Sequence, residues 1–193
     1  MALGFYFDMT ACIGCKTCQI ACKDKNDLPL GTLYRNTESY ETGEFPKPGA
    51  YHLSVSCNHC EKPACVEMCP TKAMYKSEDG VVLHDDSLCI GCGACVNACP
   101  YQVPKLLDTA AGLKSGKCDS CVSIRANGNL PQCVAACPMR ALEFGDLDEL
   151  KAAHPDAVNI SELACVPASD TVPTTLVTPK AFALEKDYVE VII

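Results

Sequence analysis

Twelve consecutive residues, Cys89-Ile90-Gly91-Cys92-Gly93-Ala94-Cys95-Val96-Asn97-Ala98-Cys99-Pro100, restrict the fold of this chain more than any other stretch. The spacing is C-x2-C-x2-C-x3-C-P, in which three thiolates hold one [4Fe-4S] cube and the fourth ligates a second. Such a run is incomplete alone, so a partner run has to exist elsewhere in the chain. Three further groups are present: Cys12, Cys15, Cys18 and Cys22; Cys57, Cys60, Cys65 and Cys69, followed by Pro70; and Cys118, Cys121, Cys133 and Cys137, followed by Pro138.

Composition narrows what these groups bind. Seventeen cysteines in 193 residues, no Trp and few aromatics leave a chain whose core is replaced in part by what its cysteines hold. Disulfides, structural zinc and iron-sulfur clusters compete. The segment from Met1 to Asp8 runs into Cys12 without a basic region followed by an apolar one, so no secretory signal is expected and disulfides are disfavoured. Zinc favours C-x2-C knuckles separated by longer loops and gives no reason for a third cysteine and a closing Cys-Pro. No apolar run approaches the roughly 20 residues that span a bilayer. A formal net charge of −8, to which clusters add further negative charge, excludes nucleic acid as an expected partner.

Taken in order, Phe5 to Asp8 reads as a strand entering the first group. Lys23 stands where the other groups have proline, so a helix over Lys16 to Lys25 can continue until Asn26-Asp27-Leu28-Pro29 stops it. Residues 26–50 read as an inserted surface loop with at most one strand. Tyr51 to Ser56 alternates as a strand, and Ala73 to Lys76 with Val81 to His84 forms a hairpin around Glu78-Asp79-Gly80. Leu106 to Lys117 reads as a connection. Ala141 to Phe144 resembles a strand, and Asp146 to Ala153 a short helix with Asp146 as its N-cap. Pro167, Pro173 and Pro179 among Thr and Val in residues 166–180 suggest an extended tail lying on this domain or on a partner.

The groups repeat. A displacement of 77 residues carries Asp8 onto Asp85, Ile13 onto Ile90, Gly14 onto Gly91 and each cysteine of the first group onto one of the third. One of 61 carries Cys57 and Cys60 onto Cys118 and Cys121, and Pro63 to Met74 lies over Pro131 to Leu142. The Cys-Pro, hairpin, Asp85, Cys-Ile-Gly-Cys order pairs the second and third groups locally, leaving the first to pair with the fourth, with Ala141 to Phe144 beside Phe5 to Asp8. Exchange of the fourth thiolate then assigns four ligand sets: Cys12, Cys15, Cys18 and Cys137; Cys57, Cys60, Cys65 and Cys99; Cys89, Cys92, Cys95 and Cys69; Cys118, Cys121, Cys133 and Cys22. Cys165 is left over as a plain thiol. The expected fold is α+β: two ferredoxin-like two-cluster modules related by internal duplication and nested. The outer module spans 1–25 and 105–153, the inner one 51–104, with 26–50 as the loop and 154–193 as the tail.

Glycines 14, 91 and 93 let backbone curl around a cube, and Ile13 and Ile90 shield it from water. His59 is read chiefly as a packing residue, and Lys16, Lys105, Lys117 and Arg140 either offset cluster charge or stand in solvent. Complete cysteine sets leave no iron open to substrate, so the chain reads as a conduit for single electrons and not as a catalyst. The alternatives are a diffusible polyferredoxin and a zinc-binding interaction scaffold.

These groups, with Lys16-Thr17-Cys18, Ser56-Cys57-Asn58-His59-Cys60, Ala98-Cys99-Pro100-Tyr101, Lys117-Cys118-Asp119-Ser120-Cys121 and Cys137-Pro138-Met139-Arg140-Ala141-Leu142, resemble the iron-sulfur subunits of the dimethyl sulfoxide reductase family of molybdopterin oxidoreductases. The resemblance covers residues 5 to about 150. It implies a large catalytic partner with a molybdenum or tungsten bis-pterin, often with a quinol-oxidising membrane anchor. It implies a membrane-associated or cytoplasmic complex, or one exported folded with a signal-bearing catalytic subunit. By analogy the set with Cys12 lies nearest the pterin and the set with Cys118 nearest the electron donor. Cys92 is present where some relatives carry tryptophan, which implies four cubes.

Overall fold

The computed structural model describes residues 2–192. At its centre is β1 (Leu3–Asp8), a strand buried on both faces. Phe5 and Phe7 point into the cysteine-rich core, and Tyr6 points the other way, against Leu147 and Leu150. The remaining elements are α1 (Thr17–Lys25), β2 (Asn36–Thr42), β3 (Gly49–Val55), α2 (Ala64–Glu67), β4 (Met74–Lys76), β5 (Val82–His84), α3 (Ala94–Ala98), β6 (Lys105–Thr109), β7 (Gly112–Gly116), α4 (Val122–Arg125), α5 (Gln132–Ala135), β8 (Leu142–Asp146), α6 (Leu147–Ala153), β9 (Val158–Asn159), β10 (Leu176–Thr178) and β11 (Tyr188–Val191).

The strand leading into the first cysteine group lies beside the strand that leaves the fourth. β1 and β8 run antiparallel with Phe7 opposite Leu142, and β4 and β5 pair with Met74 opposite His84. The two pairs end alike: Asp8 N donates to Ala141 O at 2.8 Å, and Asp85 N to Ala73 O at 2.8 Å. Each aspartate then folds its carboxylate onto the next turn, Asp8 accepting from Thr10 N and Asp85 from Ser87 N, both at 2.8 Å. On the outer face Asp146 caps α6, accepting from Asp148 N and Glu149 N at 3.0 and 3.2 Å. A Cβ on Gly4 would meet Leu147 Cδ2 at 2.4 Å, so the glycine admits this helix to the sheet. Lys23 Nζ bonds the carbonyls of Leu28 and Thr32, closing the loop after α1.

Three expectations change. Residues 26–50 carry the one strand allowed for, but as part of a sheet in place of a surface loop: β2 pairs with β3 and with β11 antiparallel, Tyr40 opposite Tyr51 with rings 5.0 Å apart. β2 is buried on both faces and mostly through hydroxyl-bearing residues, Thr37 and Ser39 on one face and Tyr40 and Thr42 on the other, so no apolar alternation marks it. Residues 105–116 form the β6–β7 hairpin, with Ser115 N donating to Cys89 Sγ at 3.4 Å. They therefore lie against the third group, where the sequence reading placed them in the outer module. The tail supplies strands to two sheets. β10 runs parallel to β1, Val177 beside Phe7, and spans three residues because Pro173 and Pro179 limit its ladder. Asn58 anchors it, its carbonyl accepting from Thr174 N at 3.1 Å and its side-chain oxygen from Thr175 Oγ1 at 2.8 Å.

Val177 is fully buried beside β1. Val177→Asp places a carboxylate there without a partner, at a cost of several kcal/mol. Loss of soluble folded protein, or a sharp fall in thermal midpoint relative to Val177→Ala, is the expected outcome.

Candidate metal centres

Each cysteine group is built the same way. The first two cysteines lie in irregular backbone, and the third enters a short helix: Cys18 in α1, Cys65 in α2, Cys95 in α3 and Cys133 in α5. The irregular segments need left-handed residues. Gly14 and Gly91 have φ of 69° and 68°, and a Cβ on them would run into the His52 ring and the Leu113 carbonyl respectively.

Three hollows among the described residues are each lined by four cysteines. One holds Cys12, Cys15, Cys18 and Cys137, with Phe7, Ile13 and Leu142. A second holds Cys57, Cys60, Cys65 and Cys99, with Val82, Val103 and Lys117. The third holds Cys69, Cys89, Cys92 and Cys95, with Met74, Ile90 and Ser115. The remaining four are mutual neighbours: burial first, then Cys118, Cys133 and Cys121, push the Cys22 thiol up to about 12. Burial pushes Cys57 to about 12 and Cys65 to about 11, against the pull of the Lys117 ammonium. Loading therefore has to displace protons from these thiols. Among the described residues no three metal-binding side chains converge on a point that a single ion could occupy. Thiols ranged around an apolar hollow suit a polynuclear cluster better than zinc.

Hydroxyl and backbone N–H groups surround the sulfurs. Thr17 Oγ1 lies 3.3 Å from Cys15 Sγ and holds that thiol below its usual range. Ser54 Oγ and Thr37 Oγ1 lie 3.3 and 3.5 Å from Cys18 Sγ, and Ser115 Oγ 3.2 Å from Cys95 Sγ. Met74 N donates to Cys69 Sγ at 3.5 Å and Ser120 N to Cys118 Sγ at 3.4 Å. Such bonds favour the more negative state of a thiolate-ligated centre. Sequence reasoning missed Thr37, Ser54 and Ser115, because they reach the sulfurs from other strands.

The four sets form a row. Arg35 lies among Cys133, Cys118, Cys18 and Cys22, joining the Cys12 set to the Cys118 set. Lys117 lines the Cys57 hollow and donates to Cys118 O at 2.9 Å. Cys65 and Cys95 share an apolar cluster with Met74 and Val82, joining the last two sets. The exposed cysteines, Cys15 and Cys92, belong to the sets at the two ends. The analogy puts the Cys118 set nearest the electron donor, yet Cys22, Cys118, Cys121 and Cys133 are all buried, whereas the exposed cysteines lie in the Cys12 and Cys89 sets. Ile13 and Ile90 each line an end hollow while remaining 58% and 65% exposed, so they cover the hollows and are not core.

His59 is buried, its Nδ1 accepting from Val82 N at 3.1 Å, and burial holds its pKa well below the usual value. That fits the packing reading. Arg140 Nη1 bonds Ala135 O and Cys137 O, Lys105 Nζ bonds Gln102 O, and Lys16 lines the Cys12 hollow. Cys165 lines a separate groove of about 550 Å³ that holds none of the other sixteen.

Two family models match the chain, a 4Fe-4S dicluster domain over residues 49–147 and a 4Fe-4S binding domain over residues 9–26. The chain is 42% identical over 186 residues to the B subunit of anaerobic dimethyl sulfoxide reductase from Escherichia coli (strain K12), covering 92% of this chain and 89% of that one. It is 44% identical over 146 residues to the thiosulfate reductase electron transfer subunit of Salmonella typhi, 74% of each. It is 40% identical over 154 residues to the B subunit of polysulfide reductase from Wolinella succinogenes, 77% of this chain and 78% of that one.

Cys165→Ser is expected to leave iron content unchanged in anaerobically purified protein. Cys118→Ser should cost about four irons per chain, counted by elemental analysis.

Proposed function

Because the chain belongs to the iron-sulfur electron-transfer subunits of the dimethyl sulfoxide reductase family of molybdopterin oxidoreductases, we propose that it holds four [4Fe-4S] clusters in a row and conducts electrons between a donor and the catalytic subunit. It is itself a non-catalytic subunit. The ligand sets are Cys12, Cys15, Cys18 and Cys137; Cys22, Cys118, Cys121 and Cys133; Cys57, Cys60, Cys65 and Cys99; and Cys69, Cys89, Cys92 and Cys95. The observation that carries this reading is the division of sixteen cysteines into four neighbouring sets of four, three of them around a hollow.

When bound, each cluster takes up and returns one electron at a potential set by its hydrogen bonds, charge and exposure. The chain's residues supply those conditions. Phe7, Val82, Met74 and Leu142 exclude water from the hollows, and the hydroxyls of Thr17, Ser54 and Ser115 face the sulfurs. Nested pairing and internal duplication are supported by the β1–β8 and β4–β5 ladders and by their matching Asp8 and Asp85 turns. On that reading the outer module spans 1–25 and 117–153, the inner one 51–116, and β2 and β11 form a covering layer.

The catalytic subunit, with its molybdenum or tungsten bis-pterin, docks at the Cys15 end. The donor is a quinol-oxidising membrane anchor at the Cys92 end, where Leu88, Ile90, Leu106 and Leu113 are exposed. A separate anchor suits a chain in which no described helix is long and apolar enough to cross a membrane.

Anaerobic pull-down of the tagged chain from its native host, with metals counted, tests the assignment. Expected are a large partner containing molybdenum or tungsten and about sixteen irons per chain. The same irons on a lone chain would replace the fixed wire with a diffusible carrier.

A further inference from the structure

Two cations are buried between the cysteine sets. Arg35 is 2% exposed and Lys117 6%. Arg35 Nη1 donates to Ser54 O and Ser54 Oγ at 3.1 and 3.2 Å, and Nη2 to Ser56 Oγ at 2.8 Å. Its guanidinium stands 4.8 Å from the Phe5 ring centre, and among the described residues nothing accepts from its buried Nε. Lys117 Nζ donates to the carbonyls of Val82 and Cys118. Phe5 and His59 fill the space between, with ring centres 6.2 Å apart.

Neither cation forms an ion pair with a carboxylate among the described residues. Burying a charge with only neutral partners is costly, and such a charge persists where an opposite one lies beside it. The candidates are the cysteine sets: Cys133, Cys118, Cys18 and Cys22 around Arg35, and Cys57, Cys65 and Cys118 around Lys117. Ser54 extends the reach of Arg35, because its hydroxyl touches both the guanidinium and Cys18 Sγ. Each thiolate-ligated cube is a net anion and becomes more negative on reduction, so a fixed cation beside it favours the reduced state.

We propose that Arg35 and Lys117 are positioning charges that raise the reduction potentials of the buried clusters beside them, keeping the interior of the row reducible by an electron entering from an exposed end. This rests on the four-cluster reading above. A unit charge within about 10 Å in a medium of effective dielectric about 20 shifts a one-electron equilibrium roughly tenfold or more, equivalent to about 59 mV or more.

The test is an anaerobic redox titration of the intact complex, followed by electron paramagnetic resonance, with iron counted in each sample. Lys117→Met and Arg35→Met should each lower the midpoint of at least one cluster by a tenfold change in equilibrium or more. Lys117→Arg and Arg35→Lys, which keep the charge, should restore it. Methionine variants with full iron and unchanged midpoints overturn the proposal. If they lose iron, Lys117→Gln and Arg35→Gln take their place. Should those also fail to load while the charge-keeping variants load fully, the cations serve assembly and the tuning role is overturned. Wild-type complex with well under about sixteen irons per chain sinks the four-cluster reading itself, whatever the variants do.

Discussion

The structure depends on one arrangement of sulfur: three cysteines close in sequence share a site with a fourth from far along the chain. Cys137 stands with Cys12, Cys15 and Cys18, and Cys99 with Cys57, Cys60 and Cys65. The short helices after each second cysteine set the local three. The fourth arrives only if β1 lies beside β8 and β4 beside β5. Backbone ladders and thiol sets therefore support each other, and a register shift in either strand pair would break both.

Sulfur and hydroxyl groups also take the place of a conventional core. Cys18, Cys57, Cys118, Cys133 and Cys137 pack in one cluster with Phe5, Phe7, Leu53 and Val177. Buried Thr37, Ser54 and Ser115 face sulfur, where another protein of this size would place Leu or Ile. Stability and cofactor binding are then hard to separate, because much of the interior is organised toward groups the chain must bind. Buried Arg35 and Lys117 make the same point with charge: among the described residues neither has a carboxylate partner, and each stands among cysteines.

Burial separates the ends of the row from its middle. Cys15 and Cys92 are exposed, with Ile13 and Ile90 beside them, while the Cys22, Cys118, Cys121 and Cys133 set is enclosed. The set holding Cys57 lies between these extremes, with Cys57 and Cys65 buried and Cys60 and Cys99 half-buried. The tail contributes to this enclosure by closing the free edge of β1 through β10 and that of β2 through β11.

Local chemistry was legible in the residues themselves. Cysteine spacing identified four groups, Asp146 announced the start of α6, Lys23 let α1 run past its last cysteine, and the Asp79-Gly80 turn announced the β4–β5 hairpin. These signals act within a few residues, where spacing and turn chemistry decide. Only the tertiary structure decided which sets stand at the ends, that the strand within residues 26–50 pairs with the tail, that the tail completes two sheets, and that Arg35 lies among cysteines. The physical reason is distance along the chain: the buried hydroxyls of β2 meet partners from other elements, Thr37 the Cys18 sulfur of α1 and Ser39 the His52 ring of β3. A periodicity meant for a hydrocarbon core does not reveal a strand built against sulfur.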